Sequence, residues 1–249
     1  MGLHPSEALR GVSVLRVPCD LQGGAWCELW GDAAKYLLRA RRAAVGDAFV
    51  AFDPARAVEA DAVLTGATKT TATLELGPLR PASVLPARKA TLLQAIGKGD
   101  KLDAIVRDAT ELGATCFRPV RTARCVPRRE EGSMMARLER IAIEAARQSG
   151  RGDVPRVEPP ADLGAALTSL ETEVRIALVP NGAIRFADAL AAVGPGQSVT
   201  FAVGPEGGFD DAELTALRDH AFLEVTLGPI VLRTETVCAA VLGALLARP

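Results

Sequence analysis

Short apolar runs separated by turn residues dominate the first third of the chain. Gly11–Val17, Ala48–Phe52, Ala60–Leu64 and Thr70–Leu76 read as strands, punctuated by Gly23-Gly24, Gly46-Asp47, Asp53-Pro54 and Gly77-Pro78. A helical stretch, Asp32–Ala44, interrupts them and carries Arg39, Arg41 and Arg42 near its end. The pattern predicts a compact, barrel-like β domain over residues 1–82.

From Thr91 the period changes. The strand-like run TLLQAI precedes Gly97-Lys98-Gly99-Asp100, after which Leu102, Ile105, Val106, Ala109 and Leu112 recur at helical spacing. Asp100 is the expected cap of that helix, and Gly113 ends it. A strand over Thr115–Val120 leads to a helix from about Met134 to Gln148, with Leu138, Ile141, Ala142 and Ala145 inward. Beyond Pro159-Pro160 come a strand at Arg175–Val179, the turn Pro180-Asn181-Gly182, a helix near Phe186–Val193 and the strand Val199–Val203. Asp210 and Glu213 have the spacing of a capping box for the next helix. The strand Leu223–Leu227 then leads to a last helix capped by Thr234, with Val237, Ala240, Val241, Ala244 and Leu245 along it. So few polar residues require this helix to be covered, by the sheet or by a second subunit. Strand and helix alternate throughout residues 83–249, which makes the class α/β.

A chain of 249 residues suits two modest domains. No run approaches the roughly 20 apolar residues that span a bilayer. Arg10 and Arg16 interrupt the early apolar residues, so no signal peptide is expected and the location expected is cytoplasmic. The five cysteines lack metal-ligand spacing, so neither a disulfide framework nor a metal site is expected. His4 and His220 are the only histidines, which argues against a histidine base. The net charge of -1 conceals a division that bears on partners. Residues 86–160 carry fifteen basic and ten acidic side chains, whereas residues 161–249 carry five and eleven. Arg118, Arg121, Arg124, Arg128 and Arg129 follow one another without a carboxylate, and the alternatives are a phosphate-contacting surface or a solvated loop.

Two glycine turns follow strands near the carboxyl end: Gly204-Pro205-Glu206-Gly207-Gly208 after VTFAV, and Leu227-Gly228-Pro229 before Ile230-Val231-Leu232-Arg233-Thr234-Glu235-Thr236. They indicate a backbone-lined pocket at the carboxyl edge of a sheet. Pro205 and the late position do not fit a dinucleotide fingerprint, and Gly97–Lys101 lacks the spacing and hydroxyl residue of a phosphate loop.

The order of these motifs resembles a known family. GPEGGF followed by LGPIVLRTET, preceded by Lys98-Gly99-Asp100-Lys101, Ala109-Thr110-Glu111-Leu112-Gly113 and Glu144-Ala145-Ala146-Arg147-Gln148-Ser149-Gly150-Arg151, is similar to RsmE-type 16S rRNA uridine N3-methyltransferases of the knotted SPOUT class. The resemblance implies a small PUA-like β-barrel that binds RNA, followed by an α/β methyltransferase domain with a deep trefoil knot, acting as a homodimer without a membrane. It implies three loops around S-adenosylmethionine (SAM), with Val179, Pro180, Gly182, Gly204, Glu206, Gly207, Gly208, Leu227, Gly228, Ile230, Leu232 and Thr236 as binding residues. Arg233 is the expected stabiliser of charge on the uracil oxygens, and Glu206 and Glu235 are candidates for proton transfer or for holding the loops. Arg39, Arg41, Arg42, Arg121, Arg124, Arg128 and Arg129 are the expected contacts to 16S rRNA of the small ribosomal subunit. Lys35-Tyr36-Leu37 and Ala40-Arg41-Arg42 depart from the family pattern in the region expected to read the target. Rival readings are a knotted methyltransferase with another base or a ribose as target, and a non-catalytic RNA-binding assembly protein.

Overall fold

The computed structural model describes residues 15–22, 24–97, 100–125 and 131–248. Arg128 and Arg129, residues 11–14 of the first expected strand, and Lys98-Gly99 of the expected turn lie outside the described residues. The chain divides into two compact units, one formed by residues up to Leu85 with Ala146–Val154, the other by Pro86–Ala145 and the remainder from Pro155.

In the first unit, β1 (Arg16–Pro18), β2 (Trp26–Leu29), β3 (Ala48–Asp53), β4 (Val58–Ala67) and β5 (Ala72–Leu76) form a sheet of order β1-β3-β4-β5-β2, with β6 (Arg80–Pro81) added to β4. β1 pairs parallel to β3 and the other pairs are antiparallel. The sheet curls as a half-barrel over a core that includes Leu29, Leu37, Phe49, Leu64 and Leu74. The interposed helix is shorter than the sequence pattern suggests. α1 covers Gly31–Lys35 and continues as a π-helical turn over Tyr36–Ala40, where the Arg41 amide reaches back to the Tyr36 carbonyl at 2.9 Å. Arg42, at φ 54°, then turns the chain out of the helix.

Strand β4 buries one charge among its inward residues. Glu59, 3% exposed at its side chain, accepts from Arg16 at 2.8 Å and from Arg80 at 3.2 Å. Burial by itself raises the affinity of this carboxyl for a proton, but the hydrogen bond and charge of Arg16, joined by Arg80, carry it below the usual carboxylate value. A lowered folded value means that the pairing stabilises the unit fully above the unfolded pKa of about 4.3 and loses that effect as pH falls through the lower folded value. Acidification below about pH 4 is therefore expected to lower the unfolding midpoint of the first unit, and Glu59→Gln is expected to flatten that dependence. The two tryptophans, Trp26 and Trp30, both lie in this unit, so their fluorescence during urea titrations checks the expectation.

The second unit is built on an all-parallel sheet. Its strands are β7 (Ala90–Ala95), β8 (Cys116–Arg121), β9 (Arg156–Val157), β10 (Ala161–Asp162), β11 (Val174–Leu178), β12 (Ile184–Arg185), β13 (Val199–Val203) and β14 (Leu223–Thr226). Their order is β10-β8-β7-β13-β11-β14-β12, with β9 also on β8. β13 thus inserts between β7 and β11, two strands formed earlier in the chain. Every residue of β7 and β13 is buried, so both are mostly apolar, with Thr91, Gln94 and Thr200 as buried polar exceptions. The helices are α2 (Lys101–Glu111), α3 (Glu131–Ser149), α4 (Leu163–Thr168), α5 (Phe186–Ala191), α6 (Asp211–Asp219) and α7 (Thr234–Leu246), and α3 passes into the first unit at Ala146.

The caps divide by how local their partners are. Asp210 accepts from the Glu213 amide at 2.8 Å while Glu213 accepts from the Asp210 amide at 2.9 Å, completing the capping box. Asp100 does precede α2, but its carboxylate accepts from Arg137 at 3.0 Å instead of capping the helix. Thr234 is not the cap of α7: Arg233 holds that position in extended conformation, and the Thr234 hydroxyl donates to Glu235 at 3.1 Å. α7 buries Cys238, Val241, Leu242 and Leu245 against α2 and β13, and leaves Ala240 exposed. Among the described residues no helix is long and apolar enough to cross a membrane, and no group of side chains is arranged to hold a metal ion.

Candidate active site

Strand ends create the site. β13, β11 and β14 are neighbours in the sheet, and all three point the same way, so their carboxyl ends release three loops side by side. Between these loops lies a cleft of about 300 Å³, near the lower bound of small-molecule sites. Val179 and Pro180 line it from the loop after β11. Gly204, Glu206 and Gly208 line it from the loop after β13, and Leu227, Gly228, Ile230, Leu232 and Arg233 from the loop after β14.

The remaining expected residues sit around the cleft rather than on its wall. Gly182 is pressed against β14: a Cβ there would lie 2.5 Å from the Val225 carbonyl carbon and 2.7 Å from the Thr226 nitrogen. Gly207 turns toward Arg124, whose side chain would lie 3.1 Å from an added Cβ. Thr236, exposed on the first turn of α7, and Glu235 follow the lining residues along the chain. The loops are tied to one another by backbone and hydroxyl groups. The Val179 amide donates to the Val225 carbonyl at 2.9 Å, and the Thr226 hydroxyl donates to the Pro180 carbonyl at 2.9 Å and lies 3.2 Å from the Gly228 amide. Gly228, at φ 126°, adopts a backbone conformation that side-chain-bearing residues avoid.

One cation that the sequence reading named in a motif but gave no role in the site organises the acidic residues. Lys101, in the first turn of α2, places Nζ 2.7 Å from Glu206 and 3.7 Å from Glu235. A lysine in the first turn opposes the helix dipole, so its position is accounted for by these carboxylates. That conflict with the dipole, together with its place in the Lys98–Lys101 motif, is the sign of its importance available from sequence. The hydrogen bond to Glu206 holds the Lys101 ammonium above its ordinary value. Glu235 is held below its ordinary value, first by its own backbone amide and then, against the opposing effect of burial, by Thr234, Lys101 and Arg233. A carboxylate with weakened proton affinity is poorly suited to act as a base. Arg233 differs from both acids: it is exposed at the rim of the cleft, and its own pairing with a carboxylate is only through space.

The expected RNA-contacting arginines fall in two places. Arg39, Arg41 and Arg42 are exposed at the end of α1 in the first unit. In the second unit Arg121 lies 3.5 Å from Asp162, and Arg124 donates to the Gly207 carbonyl, bracing the glycine loop. Arg118 is drawn inward to Glu158 and donates to the Ser169 hydroxyl at 2.9 Å, so this member of the arginine run is neither a solvated side chain nor an open phosphate contact.

Residues 84–246 match the RNA methyltransferase domain family. Over 218 residues, 85% of this chain and 70% of its relative, the sequence is 33% identical to ribosomal RNA small subunit methyltransferase E of Synechocystis. The chain belongs to the RsmE family of SPOUT RNA methyltransferases. The RsmE relative of Mycobacterium bovis is 35% identical over 175 residues, 67% of this chain, and the match spans 66% of that relative's length. Among solved structures, RsmE of Neisseria gonorrhoeae bound to SAM superposes with a TM-score of 0.85 at 29% identity, covering 93% of this chain and 96% of that one. A Legionella pneumophila methyltransferase in complex with SAM gives 0.86 at 27%, covering 95% and 98%. The shared RsmE architecture is a curled amino-terminal sheet followed by the all-parallel sheet of the SPOUT knot.

Proposed function

We propose that this protein transfers the methyl group of SAM to N3 of a uridine in 16S rRNA of the small ribosomal subunit. The observation that carries the reading is the three-loop cleft at the carboxyl edge of β13, β11 and β14, with Arg233 at its rim. Its chemistry fits SAM: Val179, Leu227, Ile230 and Leu232 offer apolar contact to adenine, while backbone groups around Gly204 and Gly228 leave room for close approach. When bound, SAM supplies a methyl group already activated on sulfur. What is left for the protein is to place uracil N3 in line with that methyl and to favour loss of the N3 proton.

Arg233 performs the second task by stabilising negative charge as it develops on the uracil carbonyl oxygens, together with the amides that open α7. Glu206 and Glu235 hold the loops through Lys101, with the proton passing to solvent. Residues 83–249 carry this chemistry, and residues 1–82, with Arg39, Arg41 and Arg42, bind RNA in a PUA-like manner. Arg121 contributes from the second unit, and Arg124 fixes the glycine loop. A paired uridine shields N3, so the target is an unpaired or extruded base. A homodimer is the working form, located in the cytoplasm: Ile230 and Val231, 74% and 79% exposed, form an apolar rim that a second subunit would cover.

Incubation with labelled SAM and small-subunit RNA or intact subunits, followed by nucleoside digestion and mapping, tests the reading. Label in 3-methyluridine at a single position is the expected result. Label in a ribose or another base assigns a different target, and absence of transfer to either substrate defeats the catalytic reading.

A further inference from the structure

One arginine of the first unit is half-buried over an aromatic ring. Near the end of α3, Arg147 lies over the Tyr36 ring, its guanidinium carbon 3.4 Å from the ring centroid. Its Nη1 is buried and has no hydrogen-bond partner among the described residues. Burial draws the guanidinium below its ordinary value. Tyr36 packs against the half-barrel core, so the ring is a fixed platform. Arg41 approaches the same ring, 5.8 Å from its centroid, and Arg39 and Arg42 are exposed beside it on the chain.

Cation–π contact compensates part of the lost hydration of Arg147 but satisfies none of its N–H groups. A half-exposed cation held in place, with no acceptor among the described residues, leaves the accessible part of its guanidinium for an anion from outside the chain. The surroundings decide which anion. A single carboxylate would neutralise one of these guanidinium groups, whereas the repeating charge of a phosphodiester strand meets several.

We propose that Arg147 and Arg41, held over Tyr36, clamp a phosphate of the RNA backbone. This rests on the proposed action on rRNA and adds a contact that the arginine runs in the sequence do not indicate. The clamp positions the RNA and carries no base specificity. Contact with the Tyr36 ring restricts the Arg147 guanidinium before RNA arrives.

The test is fluorescence anisotropy with a small-subunit rRNA fragment across a salt series, comparing wild type, Arg147→Gln, Arg147→Lys and Arg41→Gln. Loss of one phosphate contact is expected to reduce the slope of log affinity against log salt by roughly 0.7–0.9 and to weaken binding about five- to tenfold near 0.1 M salt. Arg147→Lys keeps the charge and is expected to retain most of the slope. SAM affinity and the melting temperature serve as controls for folding, and Arg41→Gln, at an exposed site, gives an independent reading. Arg147→Gln and Arg41→Gln proteins that bind RNA with unchanged affinity and slope overturn the clamp while leaving the catalytic proposal standing. A change in self-association instead of RNA affinity shows that the arginine pairs with a protein carboxylate, which also overturns it. Wild-type protein with no salt-dependent RNA binding overturns the clamp and the RNA-directed function together.

Discussion

Gly182→Ala is expected to destabilise the second unit by about 3 kcal/mol or more, at the upper end of overpacking costs, and to weaken SAM binding at least tenfold. The added methyl would lie 2.5 Å from the Val225 carbonyl carbon and 2.7 Å from two backbone nitrogens, so no rotamer change relieves it. Either β14 or the Val179–Gly182 turn must move. Both carry the cleft: Val179 and Pro180 lie on one, and Leu227 and Gly228 directly follow the other. The hydrogen bonds from Val179 to Val225 and from Thr226 to Pro180 would be strained by the same displacement. Gly164→Ala is the comparison, since a Cβ in α4 meets nothing within 4 Å. It is expected to be neutral or to stabilise by up to about 1 kcal/mol. Urea unfolding and calorimetric titration with SAM measure both effects. A Gly182→Ala protein with wild-type midpoint and affinity would show that the turn and strand are not held in this close packing.

The second large effect concerns rate rather than stability. Arg233→Gln is expected to lower the rate of methyl transfer about 100-fold or more, the scale for losing one preorganised charge-stabilising donor, while SAM affinity stays within about threefold. Stability should change by less than about 0.5 kcal/mol, because the Arg233 side chain caps nothing and is exposed. If the guanidinium promotes loss of the N3 proton, the variant should recover part of its rate as pH rises and solvent performs the deprotonation. Arg233→Lys retains charge without the planar fork and should fall between the two. Single-turnover rates across a pH series, with cofactor affinity measured separately, distinguish this role from binding. Wild-type single-turnover rates in Arg233→Gln would remove Arg233 from the chemistry.

The two substitutions test different kinds of legibility. Arg233 follows a strand and a glycine turn within one short segment, and its place at the cleft is visible from that local pattern. Gly182 was readable as part of a turn after a strand, but not as a packing position, because the backbone it touches belongs to a strand that arrives later in the chain. Lys101 is a similar case. Its helix was evident from the spacing of Leu102, Ile105, Val106 and Ala109, yet its carboxylate partners, Glu206 and Glu235, come from two distant loops. The arginine run after Arg118 shows the converse error, since absence of carboxylates along the sequence says nothing of those brought in by folding. Glu158 draws Arg118 inward, and Arg124 is engaged by the Gly207 carbonyl.

Features that depend on neighbours a few residues apart are legible in the chain: the strand and helix periods, the Asp210–Glu213 capping box, the glycine turns after strands and the motif order that resembles RsmE. These features are local because backbone hydrogen bonding and side-chain alternation repeat over short intervals. Packing alone places β13 between β7 and β11, sets Gly182 against β14, joins Lys101 to two acids and holds Arg147 over Tyr36. Each depends on segments far apart in sequence meeting at a few ångströms, and the partner that satisfies a charge or fills a space is fixed only when those segments pack.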